Sequence, residues 1–287
     1  YQGGLYPGGS NVRPAAHTAA GLARGRAIVP VDARGAPDPN GKYGLVTIGV
    51  SITAGETKAL IPVAEAHPEK DPHLVIVNGA SAMADAEQVA DPTNDYWPAL
   101  DGFVADAGLS PRQVRLVWIK TTIGSPSTQT LPQNPQELRG YLVEILHTLM
   151  EHFPRLSVAY VSTRTYAGYS TTKLNPEPFA YWTGFAVKWL VEGQLNGDPA
   201  LNFDPARGPV KAPWLSWGPY FWADGLNPRS DGLIWRCEDF HPDGTHVSPL
   251  GRAKNVDALM AFFMTDTTAV PWFIDDEAPQ RRGWSPA

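Results

Sequence analysis

Apolar and polar positions follow two rhythms along this chain. Four short runs are apolar at nearly every position: Gly44–Gly49, His73–Asn78, Val114–Ile119 and Leu156–Val161. Each is rich in β-branched or aromatic residues and bounded by turn formers. Unbroken apolar runs of this length predict parallel strands covered on both faces, since a half-exposed strand would alternate. Between the runs the period lengthens to that of a helix. Gln136–Phe153 places Leu138, Leu142, Ile145, Leu146 and Met150 on one face, and Pro154 stops it. Ala180–Leu195 carries Phe185, Trp189 and Leu190 on one side, and residues 250–264 form a last helix. Strands alternating with helices predict a layered α/β sheet. Two stretches break the rhythm. Residues 1–40 read as an irregular arm with one helical stretch, Ala15–Ala27, and residues 196–236 read as one long irregular excursion. With no internal repeat, a single domain over residues 1–287 is the simplest account.

Composition narrows the class. A chain of 287 residues is ample for a sizeable core. The net charge is −6 and no Lys/Arg run reaches five residues, so the footprint of nucleic acid or an anionic membrane is missing. The apolar runs are far shorter than the ~20 residues of a membrane-spanning helix. The single cysteine, Cys237, forbids an internal disulfide and a cysteine-based zinc or iron–sulfur site. The sequence begins at Tyr1 and not at Met, which suits a secreted or periplasmic protein whose leader has been removed. No glycine-rich phosphate loop occurs.

Ligands of open parallel sheets gather beyond the carboxyl ends of the strands. The residues there are Val50-Ser-Ile-Thr53, Gly79-Ala-Ser-Ala82, Lys120-Thr-Thr122 and Ser162-Thr-Arg164. Ser51 either caps the following helix or exposes a nucleophilic hydroxyl, which needs a base to take its proton. Near the other end lies Asp239-Phe-His-Pro-Asp-Gly-Thr-His-Val-Ser-Pro-Leu-Gly251. Asp243 and His246 are three apart across Gly-Thr, a turn that can set a carboxylate against one imidazole nitrogen and leave the other as a base. A solvated surface turn, or a metal site from His241, Asp243 and His246, are the competing readings. Glu56, Glu65 and Asp85 supply carboxylates for glycosidase chemistry, but no spacing selects a pair.

Ser51 in Gly-Val-Ser-Ile-Thr, with Asp243-Gly-Thr-His246 followed by Ser248 and Gly251, resembles the SGNH (GDSL-type) hydrolases. The resemblance runs in order over roughly residues 44–263, with only the first and last blocks specific. It implies a three-layer α/β/α flavodoxin-like sandwich with a central parallel sheet. It also implies an esterase with Ser51 as nucleophile, His246 as base and Asp243 as its orienting acid. The N–H groups of Ser51 and Ala82 would form the oxyanion hole. No cofactor or metal is implied.

The chain departs from that family in three places. Val50 replaces the usual Asp before the nucleophile. Ala82 stands at the second block's Gly, in Asn78-Gly-Ala-Ser-Ala82. The third block's Asn is missing from Trp118-Ile-Lys-Thr-Thr-Ile-Gly124. Lys120, or a threonine hydroxyl beside it, is expected to replace that donor; an ordinary surface lysine is the alternative. Arg164 and Tyr166, with Trp217 and Trp222 from the excursion, are expected to contact substrate, although Arg164 can equally form a salt bridge to Glu177 and each Trp can equally anchor its loop. The expected ligand is a small-molecule or carbohydrate ester, with carbohydrate O-acyl esters preferred; the oligomeric state is not readable. The rival reading is a carbohydrate-binding module on the same sheet, catalytically impaired by the missing Asn.

Overall fold

The four apolar runs become neighbouring parallel strands, and a fifth joins them. A computed structural model describes residues 2–82, 84–126 and 130–275. In chain order the main elements are α1 (Ala15–Arg26), β1 (Tyr43–Gly49), α2 (Ser51–Glu65), β2 (Leu74–Asn78), α3 (Ala86–Val89), α4 (Tyr96–Asp106) and β3 (Val114–Lys120). They continue with α5 (Gln133–His152), β4 (Val158–Val161), α6 (Phe179–Leu195), β5 (Trp214–Trp217), α7 (Pro249–Thr265) and α8 (Val270–Phe273). The sheet order is β2-β1-β3-β4-β5 with every pairing parallel. This is the doubly wound, flavodoxin-like order, and it puts the chain reversal next to β1.

All residues of β1, β3, β4 and β5 are buried, which is why they read as continuous apolar runs. One face of the sheet packs Val46, Ile48, Val117, Ile119 and Val161 against Leu100 of α4, Leu142 and Leu146 of α5 and Val187 of α6. The other packs Leu45, Leu116, Trp118 and Tyr160 against Leu60 of α2, Leu259 and Phe263 of α7 and Trp272 of α8. The result is a three-layer α/β/α sandwich. Among the described residues no helix is long and apolar enough to cross a membrane.

Residues 196–236 are not one irregular excursion, because they contain β5. Its four residues, Trp-Leu-Ser-Trp, lie between Pro213 and Gly218. So short a run among Gly and Pro gives no period to read. Burial explains its composition: Trp214 stacks on His17 of α1 at 4.8 Å, and an added Cβ at Gly21 would strike the Trp214 ring.

A third apolar cluster lies above the strand ends. Ile52, Ala223, Trp235, Phe240 and Val247 form it, with Tyr166 and Tyr169 packed against it.

Candidate active site

Ser51 opens α2 at the end of β1. Gly49 allows a close approach there: an added Cβ would lie 2.0 Å from the Lys120 carbonyl oxygen of β3 and 2.6 Å from Thr53 Oγ1 of α2. Thr53 donates to that same carbonyl at 2.6 Å, and Thr57 to Thr47 at 2.9 Å, so the first turns of α2 are fixed to the strands. Val50, not Ser51, occupies the N-cap, and the cap lacks a side-chain hydrogen bond. The Ser51 hydroxyl is therefore not spent on the helix.

It meets His246 instead. Ser51 Oγ lies 2.9 Å from His246 Nε2, and His246 Nδ1 lies 2.6 Å from Asp243 Oδ2. The other Asp243 oxygen accepts the N–H groups of Thr245 and His246, both at 3.0 Å. Partial burial pushes the Asp243 carboxyl up, but the His246 hydrogen bond and these two N–H groups outweigh it and hold it at about 2. It is ionised near neutrality and can only accept, so the proton between the pair belongs to Nδ1. The lone pair on Nε2 then accepts the Ser51 hydroxyl proton. Both ring nitrogens of His246 are thereby engaged, and no group of three metal-binding side chains occurs among the described residues.

The turn that carries the pair is built at long range. Phe240 bridges Val247, and the His241 N–H donates to the His246 carbonyl at 2.8 Å. Gly244 takes φ +62, and a Cβ there would lie 1.8 Å from the Tyr169 carbonyl oxygen. Thr171 N–H donates to the Asp243 carbonyl at 2.9 Å. Thr245 Oγ1 lies 2.7 Å from both Ser170 Oγ and Thr172 Oγ1. Residues 169–172 thus hold the Asp243–His246 turn in place. Ser170, Thr172 and Thr245 had no sequence signal, since Thr245 lies more than 70 positions from the other two and their residue types are common. Ser248 and Gly251 are structural: Ser248 caps α7, and a Cβ at Gly251 would lie 2.1 Å from the Asp239 carbonyl oxygen.

Ser51 and Ala82 follow the adjacent parallel strands β1 and β2 at the same end of the sheet. The Ser51 N–H is the first of its helix and has no intrahelical acceptor. Ser81 N–H donates to the Gly49 carbonyl at 3.0 Å, which ties the Ala82 turn to the end of β1. Asn175 is the one non-glycine residue with positive φ among the described residues, so Ala82 replaces a glycine without left-handed backbone.

Lys120 is neither a free donor nor a surface lysine. Its ammonium lies 2.6 Å from Glu56 Oε1, with both side chains buried, and 4.4 Å from the centre of the Phe221 ring. Burial lowers the lysine pKa, and Glu56 partly opposes this. The helix one turn beyond Ser51 supplied a buried carboxylate that captures the charge, with Asn255 of α7 also bonded to it. The neighbouring threonines are buried too. Thr121 and Thr122 make long contacts of 3.4 and 3.5 Å to the Ala84 and Ile123 carbonyls.

Arg164 is 3% exposed, so it presents no surface to a ligand. It does not bond Glu177; one of its nitrogens donates to the Leu174 carbonyl at 3.3 Å. Burial lowers its pKa to about 10, opposed by Glu56, Glu177 and Asp243. Glu177 instead accepts the Ala167 N–H and the Trp222 indole N–H, at 3.0 and 2.8 Å. Trp222 and Tyr166 form one aromatic wall with Tyr169, and that wall adjoins Ile52, the residue after Ser51. Trp217 lies apart from it. Its indole donates to the Leu5 carbonyl at 2.7 Å, and it lines a separate cleft of about 460 Å³ with Tyr181 and Tyr220. Of the remaining acidic candidates, Glu65 pairs with Lys70, and Asp85 is raised by burial and by Glu87.

No family model and no curated protein matches the chain. Among solved structures it is similar to a proposed acylhydrolase from Bacteroides fragilis, with 12% identity and a TM-score of 0.46, over 90% of this chain and all of that one. It is also similar to a gut microbial diltiazem-metabolizing enzyme, with 13% identity and a TM-score of 0.44, over 77% of this chain and 46% of that one.

Proposed function

We propose that this protein is a serine hydrolase of carboxylic esters, a divergent relative of the SGNH esterases. The observation that carries this reading is the hydrogen-bonded series Ser51–His246–Asp243, formed by residues nearly 200 positions apart and tied to no structural task that the helix cap requires. Ser51 Oγ attacks the ester carbonyl while His246 Nε2 takes its proton. Asp243 keeps the ring in the tautomer that can accept and stabilises the imidazolium. The N–H groups of Ser51 and Ala82 receive the negative charge on the carbonyl oxygen. His246 then returns the proton to the departing alcohol, and water releases the acyl group by the same steps in reverse. The aromatic wall of Tyr166, Tyr169 and Trp222 suits a sugar ring as the leaving alcohol, which favours carbohydrate O-acyl esters. The tripartite site needs no metal or cofactor for these steps.

One observation favours a weaker enzyme or a binding module. The Lys120 ammonium is held by Glu56 and does not replace the missing Asn, and one lost oxyanion donor costs about 10²–10³ in rate. Hydrolysis of p-nitrophenyl acetate separates the two readings. The hydrolase reading expects turnover above background that disappears in Ser51→Ala. Equal background rates in both proteins favour the binding module.

A further inference from the structure

A groove beside the Ala82 turn has no role in the steps above. It has a volume of about 320 Å³, at the lower end of the range for small-molecule sites. Tyr96, Ala99 and Phe103 of α4 form one wall, and Gln88 of α3 faces them. Ser81 closes the end nearest β1, and its N–H bond to the Gly49 carbonyl puts that end two residues from Ser51. The walls are fixed in advance. Tyr96 OH donates to the Gly79 carbonyl at 2.8 Å, and the Tyr96 N–H bonds Asn94 Oδ1 at 3.0 Å. Phe103 remains 41% exposed there, an apolar surface with nothing packed over it. Asp95, at the outer rim, is the one charged side chain in the lining.

Sheet order decides which part of an ester would lie here. The Asp243–His246 turn is held by residues 169–172, which follow β4, so His246 approaches Ser51 from the β3–β4 side. The groove lies on the β2 side, across β1. A leaving alcohol must sit next to His246, because His246 protonates it. The acyl substituent points away from His246 and toward the groove.

We propose that this groove is the acyl subsite and that it takes a neutral apolar chain longer than acetyl; the proposal rests on the hydrolase reading. The apolar walls carry no cation to hold an anionic acyl group, and Asp95 repels one. Each methylene that leaves water for the groove raises kcat/KM by about fourfold, so a half-buried hexanoyl or octanoyl chain gains at least about tenfold over acetyl.

The test is a chain-length series of p-nitrophenyl esters with the wild-type protein and Ala99→Trp. Ala99 is exposed on α4, so the indole fills the groove without entering the core. The expected result is a wild-type preference for octanoate over acetate of at least about tenfold, falling toward unity in the variant while acetate turnover holds within about twofold. A wild type that prefers acetate, or a variant that keeps the octanoate preference, overturns the subsite. Calorimetry with sodium octanoate on Ser51→Ala gives a readout free of catalysis. Binding that is lost in Ser51→Ala/Ala99→Trp supports the groove even if no ester is turned over, and no binding to Ser51→Ala overturns it. Absent turnover with intact octanoate binding is then a failure of the hydrolase reading alone.

Discussion

Asp243→Asn separates orientation of the base from stability of the fold. The amide keeps the shape of the carboxylate, and its oxygen can still accept the Thr245 and His246 N–H groups now at 3.0 Å. Its NH₂ group then faces His246 Nδ1, which becomes an acceptor. The ring proton moves to Nε2, where it points at Ser51 Oγ across 2.9 Å and can no longer receive the hydroxyl proton. In other triads the wrong tautomer costs about 10⁴ in kcat, or about 5 kcal/mol of transition-state stabilisation. Stability should move far less. A carboxyl held at about 2 and relaxing to its ordinary value on unfolding gives at most about 2.6 kcal/mol, and a side chain one-third exposed realises about 1 kcal/mol or less of that. The sign follows from the depressed folded value. The contribution is present above the ordinary carboxylate range and is lost as pH falls through the folded pKa. Single-turnover hydrolysis of p-nitrophenyl acetate and urea unfolding at pH 7 measure the two quantities. Turnover within about tenfold of wild type in a folded Asp243→Asn protein refutes the role given to Asp243.

Two further perturbations probe the frame around the site. Glu56→Gln leaves the Lys120 ammonium buried without its counter-charge and is expected to cost about 3–5 kcal/mol in urea unfolding, while Glu56→Gln/Lys120→Met recovers most of it. Because burial depresses the folded lysine pKa, the unfolded chain binds more protons, and Glu56→Gln should gain stability as pH rises toward the ordinary lysine range. A single variant within about 1 kcal/mol of wild type at pH 7 would contradict the pairing. Gly244→Ala places a Cβ against the Tyr169 carbonyl at positive φ, where left-handed backbone alone costs about 1–2 kcal/mol. It should lower the melting temperature and reduce kcat together, and unchanged values of both would show that the turn does not depend on this contact.

Much of the architecture is legible in the sequence because burial on both faces leaves an unbroken apolar run. Leu45 to Ile48, Val114 to Ile119 and Val158 to Val161 announce themselves in this way. Trp214–Trp217 does not, since four residues between Pro and Gly are too few to show a period, and the packing that makes them a strand comes from α1 and β4. The same division holds at the site. Asp243 and His246 are readable because a short turn joins them. Ser51 is readable because the hydroxyl follows a strand. The fate of Lys120 is not readable, because Glu56 reaches it only when α2 folds back over β3. Arg164 follows a strand as expected and Trp217 closes a strand the sequence does not announce, and neither position says how deeply a side chain is covered. Both prove to be buried.

Covalent labelling shows whether Ser51 is an activated nucleophile. A fluorophosphonate should add one phosphonyl group per chain, located to the peptide containing Ser51 by mass spectrometry. Labelling should vanish in Ser51→Ala and slow sharply in His246→Ala. An unlabelled wild-type protein, or a label that persists in Ser51→Ala, would contradict the account.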